Sequence, residues 1–176
     1  MTMRPTLRKM ALTAHVISSV GWLGAVAAFL ALSITGLISS NAETVRGAYV
    51  AARVVTWSVI VPLSLAALLT GLIQSLGTTW GLFRHYWVLI KLLLTVAAGL
   101  LLLLHTRPID YMADAAALST LSSGDLRAVR TQLIFDAALG LAALLVATIL
   151  SIFKPRGFTP YGYRRRQSEL SAGGPR

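Results

Sequence analysis

The sequence predicts an all-α integral membrane bundle of four transmembrane helices, and three observations predict it. Hydrophobic residues make up 56% of the 176 and charged residues only 12%, against ~45–50% and ~25% in ordinary soluble domains. Mean hydropathy is +0.72. Several apolar runs exceed the ~18 residues that mark a spanning helix. Such a chain holds more apolar surface than a core of its size can bury, which excludes a soluble enzyme and a nucleic-acid-binding domain. The net charge of +10, from 16 Lys and Arg against 6 Asp and Glu, then records topology rather than an affinity for nucleic acid. The chain has no cysteine, so disulfides, thiolate metal sites and cysteine nucleophiles are absent.

The first span is placed at about 10–37, inside a stretch from Met10 to Ala42 without a formal charge. Arg4, Arg8 and Lys9 precede it and Ser40-Asn41-Ala42 follow, so a cleaved signal peptide is the alternative; the apolar run is about twice the ~7–15 residues of a signal core. The second span covers about 50–75, with Arg53 at its start and Pro62 inside, where a neighbouring helix can satisfy the carbonyl that proline frees. The third covers about 86–105 and is interrupted only by Lys91. The fourth covers about 133–153; Ser122 or Ser123 ahead of Asp125 is a candidate N-cap, which starts that helix outside the membrane. Residues 1–155 thus form the transmembrane domain. The remainder, 156–176, carries Arg164-Arg165-Arg166 and a Gly-Gly-Pro end, and is expected to be a basic, unordered tail.

Lys and Arg in the loops set the orientation. With both termini inside, ten basic residues fall on the inner side and five on the outer, which places both ends in the cytoplasm. Trp80, Phe83, Tyr86 and Trp87 then form an inner aromatic belt.

Ionisable groups at membrane depth are costly, so each is a candidate for function. His15 lies five residues into the first span and Lys91 five into the third, about 8 Å at ~1.5 Å per residue. Both spans enter from the inner side, so the two groups share a depth and face one another if the helices are neighbours. Helical spacing puts Ser19, Trp22, Val26, Phe29 and Ser33 on the face of His15, and Trp22 is too deep for an interfacial belt. This stripe is expected to face the bundle interior. For His15 the alternatives are a packing residue and a ligand or proton-handling group. For Lys91 they are a stem that snorkels to the surface and an inward polar stripe. At the outer end, Arg53, His105 and Asp136 share one layer. Asp136 is expected to pair with Arg53 first and His105 second, as a structural staple or as part of an extracytoplasmic ligand site.

Arg8-Lys9, Leu12, His15 and Gly21-Trp22-Leu23-Gly24, followed by Gly81-Leu82-Phe83-Arg84-His85-Tyr86-Trp87 and Lys91-Leu92-Leu93, resemble an uncharacterised family of bacterial four-span integral membrane proteins. That resemblance covers roughly the first 155 residues and implies fold and location. In kind, His15 with Trp22 and Trp87 with Lys91 and His105 are also similar to the membrane-embedded, haem-binding protoporphyrinogen oxidases and to copper-resistance D proteins. This second likeness implies haem b, with His15, Trp22 and Lys91 as the residues that would bind it. A haem ligand carries over to His15 alone, because His105 falls at the opposite leaflet.

Three functional classes follow. The first is an accessory or non-enzymatic protein of the bacterial cytoplasmic membrane. The second is a haem-b redox protein using His15. The third is a small transporter or permeation unit whose polar path links the His15–Lys91 layer to the Asp136 layer. No catalytic residue and no metal site is expected, and the expected partners are the lipid bilayer and a second copy of the chain, not nucleic acid.

Overall fold

The computed structural model describes residues 3–77, 82–104, 106–117, 125–155 and 157–172. Helices occupy Pro5–Ile38 (α1), Ala42–Val55 (α2), Val61–Gly77 (α3), Tyr86–Leu104 (α4), Thr106–Ala117 (α5), Asp125–Phe153 (α6) and Pro160–Ala172 (α7), and a π-helical turn, Thr56–Ile60, joins α2 to α3. Four helical stretches are long and apolar enough to cross a membrane: Pro5–Ile38, Ala42–Gly77, Tyr86–Ala116 and Leu126–Phe153. The fold is an all-α bundle. Around it α1 packs on α3 and α6, α4 packs on α6, and α3 touches α4, which closes a ring of four. Ile17, Val20, Leu93, Phe135 and Ile152 are 64–70% exposed on its outside, an apolar surface that only lipid or another protein can cover.

Each helix has a local cause. Pro5 stands in the first turn of α1, where its missing N–H costs nothing. The Asn41 side chain accepts from Thr44 N–H at 3.0 Å and caps α2, with Glu43 in the first turn and Arg53 in the last. Pro62 cannot donate to the carbonyl four residues back and its ring crowds that turn, and the chain widens just before it. Val61 N–H bonds Thr56 O across the widened turn.

The spans are longer than the sequence predicts, mainly at the end remote from the termini. Segments expected as loops there are amphipathic helices. On α2 the buried residues are Val45, Ala48, Tyr49 and Ala52; on α5 they include Ile109, Met112, Ala113 and Ala116. Both sets repeat at i, i+3, i+4, i+7, the stripe of a helix with one apolar face, and α2 packs on α5 through them. The Ser122 or Ser123 cap and His105 lie outside the described residues.

The end that carries the termini also differs from expectation. Where an unordered tail is predicted, Pro160–Ala172 is helical. Thr159 is its N-cap: the Thr159 hydroxyl accepts from Gly162 N–H at 3.1 Å, and Pro160 takes the first helical position. Lys154 ends α6 with a left-handed φ of 43°, which turns the chain toward this docked segment.

Tyr49 is 1% exposed, and its ring lies across α1 at Gly36, where a Cβ would sit 2.5 Å from Tyr49 Cζ. Gly36→Val therefore forces the ring out of its slot and is expected to cost about 1–3 kcal/mol of bundle stability. Asp114→Ala removes an ion pair with Arg53 whose side chains are 38% and 65% exposed, and should cost at most about 1 kcal/mol. Thermal unfolding of the full chain in detergent checks this order; a larger shift for the aspartate variant would contradict it.

Candidate functional site

Helices α1, α3 and α4 meet around His15. The approach of α1 to α3 is close: Gln74 Nε2 donates to Ala11 O at 2.9 Å, and a Cβ at Gly71 would lie 3.1 Å from His15 Cε1. Gly71 therefore makes the slot that the imidazole fills. His15 Nδ1 lies 3.1 Å from Ala67 O and 3.2 Å from Thr70 Oγ1. The Thr70 hydroxyl itself donates to Ala66 O at 2.6 Å, so both groups facing Nδ1 present lone pairs. Nδ1 must carry the proton.

That assignment leaves Nε2 as an acceptor. It faces Lys91 Nζ on α4 at 3.4 Å, so the ammonium donates to the imidazole. The contact forms although α1 begins at Pro5, more than a turn before the predicted span; the start of α1 extends past the start of α4. Lys91 does not snorkel away from the bundle. Its stem runs inward to His15, and the hydrogen bonds of this pair involve no carboxylate among the described residues.

Trp22 is 3% exposed and stands two turns further along α1. It lies in the wall of a cavity of about 60 Å³, together with Phe29, Thr56 of the π turn, Asp136 and Gly140. His15 and Lys91 are not part of that wall. Small-molecule pockets measure ~300–1,000 Å³, so this cavity, whose wall is mostly apolar, is smaller than a ligand pocket. The surroundings of His15 do not fit a haem either. Nε2, the ring atom left to bind iron, faces an ammonium, Nδ1 is engaged on α3, and the slot over Gly71 is filled by the ring itself. The residues named for a cofactor thus fall in two places.

The end of the bundle remote from the termini is arranged differently from the prediction. Arg53 Nη1 donates to Asp114 Oδ1 at 2.7 Å rather than to Asp136. Four residues on, in the π-helical turn, Trp57 Nε1 donates to Asp110 Oδ1 at 3.1 Å. The two pairs are four residues apart along both segments and run antiparallel, like rungs. The physical reason is the length of α5: the helix continues past the predicted end of the third span and brings its two aspartates to α2 before α6 can. Asp136 instead lines the cavity beside Trp22. Among the described residues no three His, Asp or Glu side chains gather as a metal site.

The sequence prediction missed Thr70, Gly71 and Gln74, the α3 side of the site. Their signal was present as a polar residue, a glycine and an amide at i, i+1 and i+4 within an apolar run. What it lacked was the identity of the neighbouring helix.

Gly71→Val places a branched side chain in the imidazole slot. The expected result is a stability loss of about 1–3 kcal/mol and separation of His15 from Lys91, read as faster acylation of Lys91 by an amine reagent in detergent. Unchanged Lys91 reactivity in a folded Gly71→Val protein would show that the slot does not hold the pair together.

No protein-family model matches the chain, no curated protein matches it, and no solved structure matches it.

Proposed function

We propose that this chain is an accessory, non-enzymatic protein of the bacterial cytoplasmic membrane, with both termini in the cytoplasm, and that it works by handling a proton at His15 and Lys91. The observation that carries the proposal is the 3.4 Å contact between Lys91 Nζ and His15 Nε2, with Nδ1 held by Ala67 and Thr70. Two bases in direct contact share protons readily. Lys91 can pass one to Nε2 without any movement of the ring, because Nδ1–H stays bonded to α3 in either state. Intramembrane ionisable groups are kept for such work, given what their burial costs. The orientation rests on the ten-to-five excess of basic residues on the side of the termini.

A second class, a small permeation unit, is favoured by the cavity with Asp136 in its wall, lying beyond Trp22 from the His15 layer. It needs a path past the Trp22 indole. Proton flux in proteoliposomes separates the two: flux that is lost in His15→Ala and Lys91→Ala selects permeation, and its absence selects the accessory role.

Proton handling is tested by ¹⁵N NMR of labelled histidine in bilayers, with His15→Asn to assign the signals. As the pH is lowered, Nε2 is expected to change from a lone-pair to a protonated nitrogen while Nδ1 stays protonated. A Nε2 signal in one unchanging state would remove the proton-handling role. Orientation is tested separately by an impermeant thiol reagent on intact cells, which should label Ser40→Cys and spare Ser171→Cys.

A further inference from the structure

Helix α7 is held by more than its connection to α6. Besides capping α7, the Thr159 hydroxyl donates to Phe83 O, and Thr159 N–H donates to Arg84 O at 3.1 Å. Tyr86 N–H bonds Gly157 O at 3.4 Å, and His85 and Phe158 pair as a short antiparallel bridge. The Phe158 ring lies 4.8 Å from the His85 ring and 5.5 Å from that of Tyr163, tilted to both, and the Arg166 guanidinium lies 5.3 Å over it. Gly162 comes so close to Arg84 O that no larger residue fits. The first turn of α7 is thus locked to the segment that starts α4.

This docking sets Arg164, Arg165 and Arg166, all exposed, at one end of the bundle. The same end carries the exposed Arg4, Arg8 and Lys9, since Met3 N–H bonds Gly77 O at 3.3 Å. A topology signal needs only charge near a span. It needs neither a threonine cap nor a glycine seated on a neighbouring carbonyl.

We propose that α7 is an acidic-lipid clamp, a capped and docked helix that presents Arg164, Arg165 and Arg166 to the phosphate headgroups of anionic lipid. The partner follows from position. Ile152 and Phe153, 70% and 76% exposed, carry the lipid-facing surface to the end of α6. Seven residues later α7 is tied beside Tyr86 at the start of α4, which confines it to the headgroup layer. There each arginine is attracted to anionic lipid. Tyr161 and Tyr163, 55% and 57% exposed, flank the arginines with side chains suited to that interface.

The test compares phosphatidylglycerol with phosphatidylcholine retained by the full-length protein in mixed micelles, read by native mass spectrometry. Each arginine is expected to contribute about fivefold, so Arg164→Gln, Arg165→Gln and Arg166→Gln together should lower the preference for the acidic lipid by more than tenfold. Gly162→Val keeps every charge but drives α7 off Arg84, and it should lose most of the same preference while the bundle melts as in the wild type. Thr159→Val should act in the same direction. A triple variant that retains the preference overturns the proposal. So does a Gly162→Val protein that binds like the wild type, since an undocked basic tail would then suffice. A single-stranded oligonucleotide that displaces the lipid at equal charge concentration would assign the surface to nucleic acid and overturn it as well.

Discussion

The close approach of α1 to α3 over Gly71 is the contact from which the rest of the bundle is built. Helix α1 packs on α2, α3 and α6 and reaches α4 through His15, and its face reads His15, Ser18, Trp22, Val26, Phe29 and Ser33 from one end to the other. At one end the imidazole fits against a glycine and ties α1 to α3 and α4; midway the indole lines the cavity; at the other end Gly36 accepts the Tyr49 ring of α2. With no hydrophobic effect to hold helices together in lipid, this fit of large side chains against small ones, with polar contacts between, supplies the association. Gly21 repeats the device, with Leu63 in close contact. Gly24 meets nothing within 4 Å, so the small residues of α1 are not equivalent.

Membrane burial also explains why the His15 group stands apart from the other polar residues. Along the spans, Thr56, Thr95, Thr148 and Ser151 each donate to the carbonyl four residues back in their own helix. Such hydroxyls need no partner from elsewhere and carry no information about neighbours. His15, Gln74 and Lys91 bond between helices instead. An interhelical bond of this kind constrains three helices at once. It also leaves one lone pair of the imidazole aimed at a cation, an arrangement that packing alone does not require.

The end remote from the termini follows a different principle. There α2 and α5 each have one buried stripe and one exposed face, and they join through that stripe, with Arg53–Asp114 and, from the adjoining π turn, Trp57–Asp110 at its edge. The apolar contact supplies most of the stability there. The polar pairs, being partly exposed, set the register between the helices. This end is built as a soluble helical pair would be, and it stands on spans that are solvated by lipid.

The sequence by itself determined the fold class, the number of spans and the shared depth of His15 and Lys91, because apolar run length and helical rise are local properties that need no knowledge of neighbours. The amphipathic stripes of α2 and α5, and the Thr159-Pro160 start of α7, were equally local and were legible in the same way, though the charged and glycine-rich composition around them suggests loops and an unordered tail. Partner choice belonged to the tertiary structure. The sequence offered Asp136 as the partner of Arg53, and the extension of α5 along α2 supplied Asp114 instead. Thr70 and Gly71 became part of the site only when α3, among several apolar helices of similar pattern, was the one laid against α1. Hydrophobic periodicity states which face of a helix is buried, and it is silent about which helix buries it.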